Sequence, residues 1–160
     1  MTGLALHMNG KSPRDILVTP TQIRLVQSGF GSILDQARHV ADDFYANLFR
    51  MDPSLRSLFA QDMRAQKRAF ISVLALAIDS LDKIENLKPA IVELGRRHAN
   101  YGIKPAHYDT AGNALMTTVG ELMGKYWTDE MEEAWMAGYV MLAGIMKDAA
   151  TEAEGHRLDA

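Results

Sequence analysis

Residues 94–103 read Leu94-Gly95-Arg96-Arg97-His98-Ala99-Asn100-Tyr101-Gly102-Ile103. The pattern places an imidazole in the last turn of a helix, with Leu94 four residues earlier on the same face. Two readings of His98 stand at this point. A histidine near a helix C-terminus interacts favourably with the helix dipole. Alternatively it ligates iron, since neutral imidazole suits that metal and Leu94 offers an apolar neighbour for a flat cofactor. An oriented ligand of this kind needs its second ring nitrogen bonded to a carbonyl or carboxylate.

Outward from this stretch, glycines and prolines punctuate the chain at few places, and apolar residues recur at helical spacing between them. Pro89 opens the helix of His98, giving Pro89 to Asn100. Pro105 opens the next, to about Lys125. Thr128 caps the last, which runs to about Ala150 with Met131, Trp135, Tyr139, Leu142 and Met146 as its stripe. Upstream, Thr19 is an N-cap with Pro20 at the first helical position, and Ile23, Val26 and Phe30 follow at helical spacing. A second helix starts near Asp35, turns Val40, Phe44, Tyr45, Leu48 and Phe49 inward, and stops before Asp52-Pro53. A short helical piece covers Pro53 to Phe59. A long helix covers about Asp62 to Leu81, with Phe70, Val73, Leu74, Ala77, Ile78 and Leu81 inward. No segment alternates with a two-residue period. The fold class is all-α, with about seven helices over residues 19–150. Residues 1–18 read as a flexible arm and 151–160 as a polar tail.

Composition narrows the chemistry. A chain of 160 residues, 48% hydrophobic and 23% charged, suits one soluble domain with one core. It has no apolar run long enough to span a membrane and no signal-peptide pattern near Met1, so a cytoplasmic location is expected. With no cysteine, disulfides, thiolate metal sites and cysteine nucleophiles are excluded. A net charge of −3 without a dense Lys/Arg run argues against nucleic-acid binding. Phosphate-loop, His-Glu-x-x-His and Gly-x-Ser-x-Gly motifs are absent. Glu93 and His98 are five apart, so the Glu-x-x-His pairing of di-iron bundles is missing too. The ten methionines mostly read as core gap-fillers.

The other histidines read as structural or solvated: His7 in the arm, His156 in the tail, His39 among Arg38 and aspartates, and His107 on the surface after Pro105. A second constellation is aromatic. Phe44, Phe59 and Phe70 are explained by a core alone. Tyr45 and Gln66 bring polar atoms to an inward face and need partners, either each other or a bound ligand. Gln66 and Phe70, four apart, share a face.

The segment around His98 with Tyr101-Gly102-Ile103 and Tyr108, the run from Trp127-Thr128 through Trp135 to Tyr139, and Asp52-Pro53 to Leu58-Phe59 together resemble the globin family. The likeness is to bacterial single-domain globins related to flavohaemoglobins and neuroglobin, over about residues 19–148. It implies a globin fold around haem b, with His98 as the proximal iron ligand and Phe59 stacked on the porphyrin. It places Gln66 and Tyr45 on the distal side, and Leu94, Arg97, Tyr101, Ile103 and Tyr108 against the cofactor. Phe70 stands where a smaller aliphatic residue is more usual. The proximal Glu of flavohaemoglobins falls by count near Ala150, between Asp148 and Glu152, so no Glu–His–Tyr network is expected.

The resemblance implies reversible binding of O₂, NO or CO at a five-coordinate or weakly six-coordinate iron, with Tyr45 and Gln66 as hydrogen-bond donors to the ligand. An alternative is a nitric oxide dioxygenase served by a separate reductase. A haem-based sensor would add an output domain. A haem-free helical interaction protein is the remaining class. Monomer and homodimer are equally open.

Overall fold

A computed structural model describes residues 18–158. Nearly all of the arm expected at 1–18 lies outside the described residues. Those described form six α-helices and no strand: α1 Pro20–Ile33, α2 Ala37–Met51, α3 Arg64–Asp79, α4 Ile84–Asn100, α5 Pro105–Met123 and α6 Asp129–Leu158. Short 3₁₀ turns at Leu34–Gln36, Pro53–Leu58, Leu81–Lys83 and Gly124–Tyr126 join them. The expected seventh helix is thus the 3₁₀ piece at Pro53–Leu58.

The ends of several helices follow from local chemistry. Thr19 accepts a bond from the Gln22 backbone at 3.1 Å, and the Gln22 side chain accepts one from the Thr19 backbone at 3.0 Å. This reciprocal cap, with Pro20 at the first helical position, starts α1. Asp52 caps the 3₁₀ turn by accepting from the Ser54 backbone. Thr128 accepts from the Met131 backbone at 3.2 Å and so opens α6.

Two boundaries differ from the expectation. Helix α4 begins at Ile84, so Pro89 sits inside it rather than at its start. Pro89 forfeits one backbone bond there. The stripe Ile84, Leu87, Ile91 and Leu94, which is buried or half-buried, carries the helix across that loss. Helix α6 runs past Ala150 to Leu158. No proline interrupts it, and Thr151 returns a hydrogen bond to the Lys147 carbonyl at 3.1 Å. The described part of the expected tail is therefore helical.

Helix α4 packs along α6, α2 along α5, and α1 along α6. Val26, Phe30, Ile33, Val40, Leu115, Val119 and Trp135 are buried between them. The polar core pair Asn47 and Thr118 is satisfied, Asn47 donating to Thr118 at 3.0 Å and Thr118 to the Ala114 carbonyl at 2.8 Å. Gly95 makes the α4–α6 approach possible. A Cβ there would lie 2.5 Å from the Met146 carbonyl oxygen and 2.7 Å from its Cα.

Candidate functional site

Helices α2 to α6 and the corner after α2 leave a cavity of about 300 Å³ between them. That is the low end of the range for ligand pockets. Its walls are mostly apolar. Phe44, Leu48, Leu55 and Phe59 come from α2 and the corner, Phe70 and Leu74 from α3, Ile91 and Leu94 from α4, and Leu142 and Met146 from α6. A few polar groups converge on it: Tyr45, Gln66, His98, His107, Tyr108 and Tyr139.

His98 is oriented by its own helix. Its Nδ1 lies 2.8 Å from the Leu94 carbonyl, so Nδ1 carries the proton and donates. The neutral ring then presents an unprotonated Nε2 with a free lone pair. Burial lowers the imidazole pKa, and the bond to Leu94 opposes this more weakly. Neutral imidazole is the form that can ligate a metal. The helix ends just beyond in two nested bonds, Gly102 N–H to the Ala99 carbonyl and Ile103 N–H to the His98 carbonyl, both 3.0 Å. This closure requires a left-handed residue, and Gly102 supplies it with φ of 90°. The turn brings Ile103 back to the cavity wall.

Tyr45 is buried and boxed by rings. Phe44, Phe59 and Phe70 meet it edge-on at 5.0, 5.6 and 5.6 Å, and Phe49 tilts against it at 5.9 Å. Gln66 donates its amide to the Tyr45 hydroxyl at 2.9 Å. The Tyr45 proton is left for another acceptor. Burial holds the phenol's pKa above its usual value, so it stays protonated and able to donate. Phe70 stacks on Phe44 with ring centres 4.3 Å apart and planes 9° apart.

The Tyr108 ring lies 6.3 Å from that of His98. Its hydroxyl is buried without a hydrogen-bond partner, and burial pushes its pKa up to about 12. Tyr139 donates to the Tyr108 backbone carbonyl, and burial raises its pKa also.

Of the residues singled out in the sequence, Tyr45, Phe59, Gln66, Phe70, Leu94, His98, Ile103 and Tyr108 line this one cavity. Arg97 and Tyr101 do not. Arg97 points to solvent and pairs with Glu93 at 3.6 Å, because it lies one residue off the inward face of α4. Tyr101 is 71% exposed, since the helix-ending turn throws it outward. His107, expected on the surface, is half-buried on the cavity wall, its Nδ1 accepting from the Lys104 backbone at 2.9 Å. The spacing of His107, Ala111 and Leu115 on the cavity face of α5 was the signal that could have found it. Among the described residues no group of three or more His, Asp or Glu side chains could hold a metal ion.

The comparisons with known proteins agree with this architecture. The chain is 27% identical over 139 residues to the flavohemoprotein of Bacillus subtilis, and 27% over 135 residues to that of Vibrio cholerae. Each match covers 82% of this chain but only about a third of the relative, 35% and 34%. A bacterial globin from Campylobacter jejuni superposes with a TM-score of 0.76 at 19% identity, covering 86% of this chain and 99% of the other. An engineered carbene transferase from Rhodothermus marinus superposes with a TM-score of 0.80 at 22% identity, covering 89% and 99%. The globin family model matches residues 42–146, the span that carries every wall of the cavity, and the chain belongs to the globin family.

Proposed function

We propose that this chain is a haem-binding globin, with His98 as the proximal ligand of haem b, that reversibly binds O₂ and other diatomic gases. The observation that carries the reading is His98. It is the one histidine of the apolar cavity whose Nδ1 is committed to a carbonyl four residues back in its own helix, leaving Nε2 free for iron. The surrounding residues fit the group. A flat apolar macrocycle suits walls built from Phe59, Phe70, Leu74, Leu94 and Ile103. Haem supplies an iron with one coordination position for the protein and one for a gas.

The chain's own residues do the rest. The Leu94 carbonyl holds the His98 ring in one tautomer and one orientation. Gln66, by donating to Tyr45, directs the tyrosine's own proton towards a ligand in the cavity. Neither distal group titrates near neutral pH, so gas affinity should depend little on pH between 6 and 8. The apolar lining keeps water away and strengthens that hydrogen bond.

Absorption spectra of the ferric, ferrous and CO-bound protein test this reading. A strong Soret band that His98→Ala displaces or abolishes is expected. A protein that stays colourless after haem is supplied would overturn it. A second reading, nitric oxide dioxygenase activity with a separate reductase, is favoured by the likeness to flavohemoproteins, of whose length this chain spans about a third. Nitrate production from NO over many turnovers, with an added reductase, is its test.

A further inference from the structure

The corner between α2 and α3 is held by one side chain that the proposed function does not use. The Arg56 guanidinium donates to three consecutive backbone carbonyls, Phe59 at 3.3 Å, Ala60 at 3.0 Å and Gln61 at 3.0 Å. Its Cζ also lies 5.5 Å from the centre of the Phe49 ring. These carbonyls belong to the irregular segment between the 3₁₀ turn Pro53–Leu58 and the start of α3 at Arg64, where no helix supplies backbone partners. A planar fork of five N–H donors can reach all three, whereas a lysine ammonium is a point donor.

The contacts run inward from there. Phe49 and Phe59 meet edge-on at 5.5 Å, and both rings touch Tyr45. The same segment leads into the first turn of α3, where Gln66 donates to Tyr45. Arg56 therefore clamps the outside of the ring cluster whose inside sets the direction of the Tyr45 hydroxyl.

We infer that Arg56 is a positioning residue, a guanidinium clasp that holds the corner shut over the cavity and fixes the distal donor pair Tyr45–Gln66. The part concerning a cavity ligand rests on the haem reading above.

The test uses the full chain, supplied with haem, as wild type, Arg56→Ala and Arg56→Lys. Backbone amide exchange over residues 59–67 should quicken about tenfold in Arg56→Ala, while α1 and α5 stay protected. Haem transfer to an excess of a competing apoprotein should also quicken. The C–O stretching band of the CO complex should broaden or shift, a change that general loss of stability would not produce. Arg56→Lys should resemble Arg56→Ala, and it carries the test alone if the alanine variant fails to fold. Unchanged exchange over 59–67, a rise shared equally by all helices, or full rescue by lysine would overturn the clasp. If no haem is taken up, the haem reading falls, while the exchange pattern still decides whether Arg56 holds the corner.

Discussion

Replacing Gly95 by alanine probes the contact on which the proximal side of the cavity is built. A Cβ at this position would lie 2.5 Å from the Met146 carbonyl oxygen, 2.7 Å from its Cα and 3.0 Å from its carbonyl carbon. Ordinary contact begins near 3.4 Å. The nearest pair must therefore separate by 3.4 − 2.5, about 0.9 Å, and the next by 3.4 − 2.7, about 0.7 Å. The obstacle is backbone, so no rotamer change relieves it, and α4 must move off α6. Overpacking of this kind costs about 1–3 kcal/mol, and the upper part of that range applies here. Alanine recovers about 1 kcal/mol in helix propensity. The net loss is then about 1–2 kcal/mol, a fall in Tm of roughly 2–8 °C for a chain of this size. Leu94 and His98 ride on the same helix, so the displacement reaches the proposed ligand, and haem should be lost faster. Thermal melts with and without haem measure both effects. Gly31→Ala is the control, because nothing lies within 4 Å of its Cβ position in α1, and it should gain up to about 1 kcal/mol. A Gly95→Ala protein as stable as Gly31→Ala would refute the packing argument.

Other substitutions test separate links. Tyr45→Phe removes a donor worth about 1–3 kcal/mol, so stopped-flow O₂ release should quicken by about 5- to 150-fold; an unchanged off-rate removes Tyr45 as the donor. Gly102→Ala forces a side chain into a backbone with φ of 90° and should cost about 1–2 kcal/mol, read as a lower midpoint in urea. The pKa values of Tyr45, Tyr108 and Tyr139 are all raised on folding, so the folded state favours the protonated phenols. That stabilisation is complete below the unfolded value near 10 and disappears as pH rises through about 12, the value for Tyr108. In a background where the exposed Tyr101 and Tyr126 are replaced by phenylalanine, alkaline unfolding followed by circular dichroism should coincide with the phenolate absorbance change of the three buried phenols; phenolate appearing near pH 10 in an intact fold of that variant would contradict it.

Much of the architecture was legible in the chain. Thr19-Pro20, Asp52-Pro53, Pro105 and Thr128 mark element starts because caps and prolines act through the nearest backbone groups. His98 with Leu94 was legible because an i, i+4 pair shares a helix face wherever the helix goes. Pro89 misled for the complementary reason. Its local preference is to start a helix, and the buried stripe from Ile84 to Leu94 outweighed it. The resemblance implied that Arg97 and Tyr101 lie against the cofactor; in the structure both are exposed, Arg97 because a step of one residue on a helix turns a side chain by about 100°.

Local chemistry in the sequence determined the all-α class, the main helix starts and the placing of His98 and Leu94 on one helix face. Only the tertiary structure decided that Gln66 meets Tyr45 rather than solvent, and that Arg56 gathers three carbonyls. It alone decided that Gly95 is where α6 touches α4. Those facts depend on distances between segments far apart in the chain, or on the path of an irregular corner, and neither is encoded in helical periodicity. Packing sets them, through the shapes of all the side chains at once.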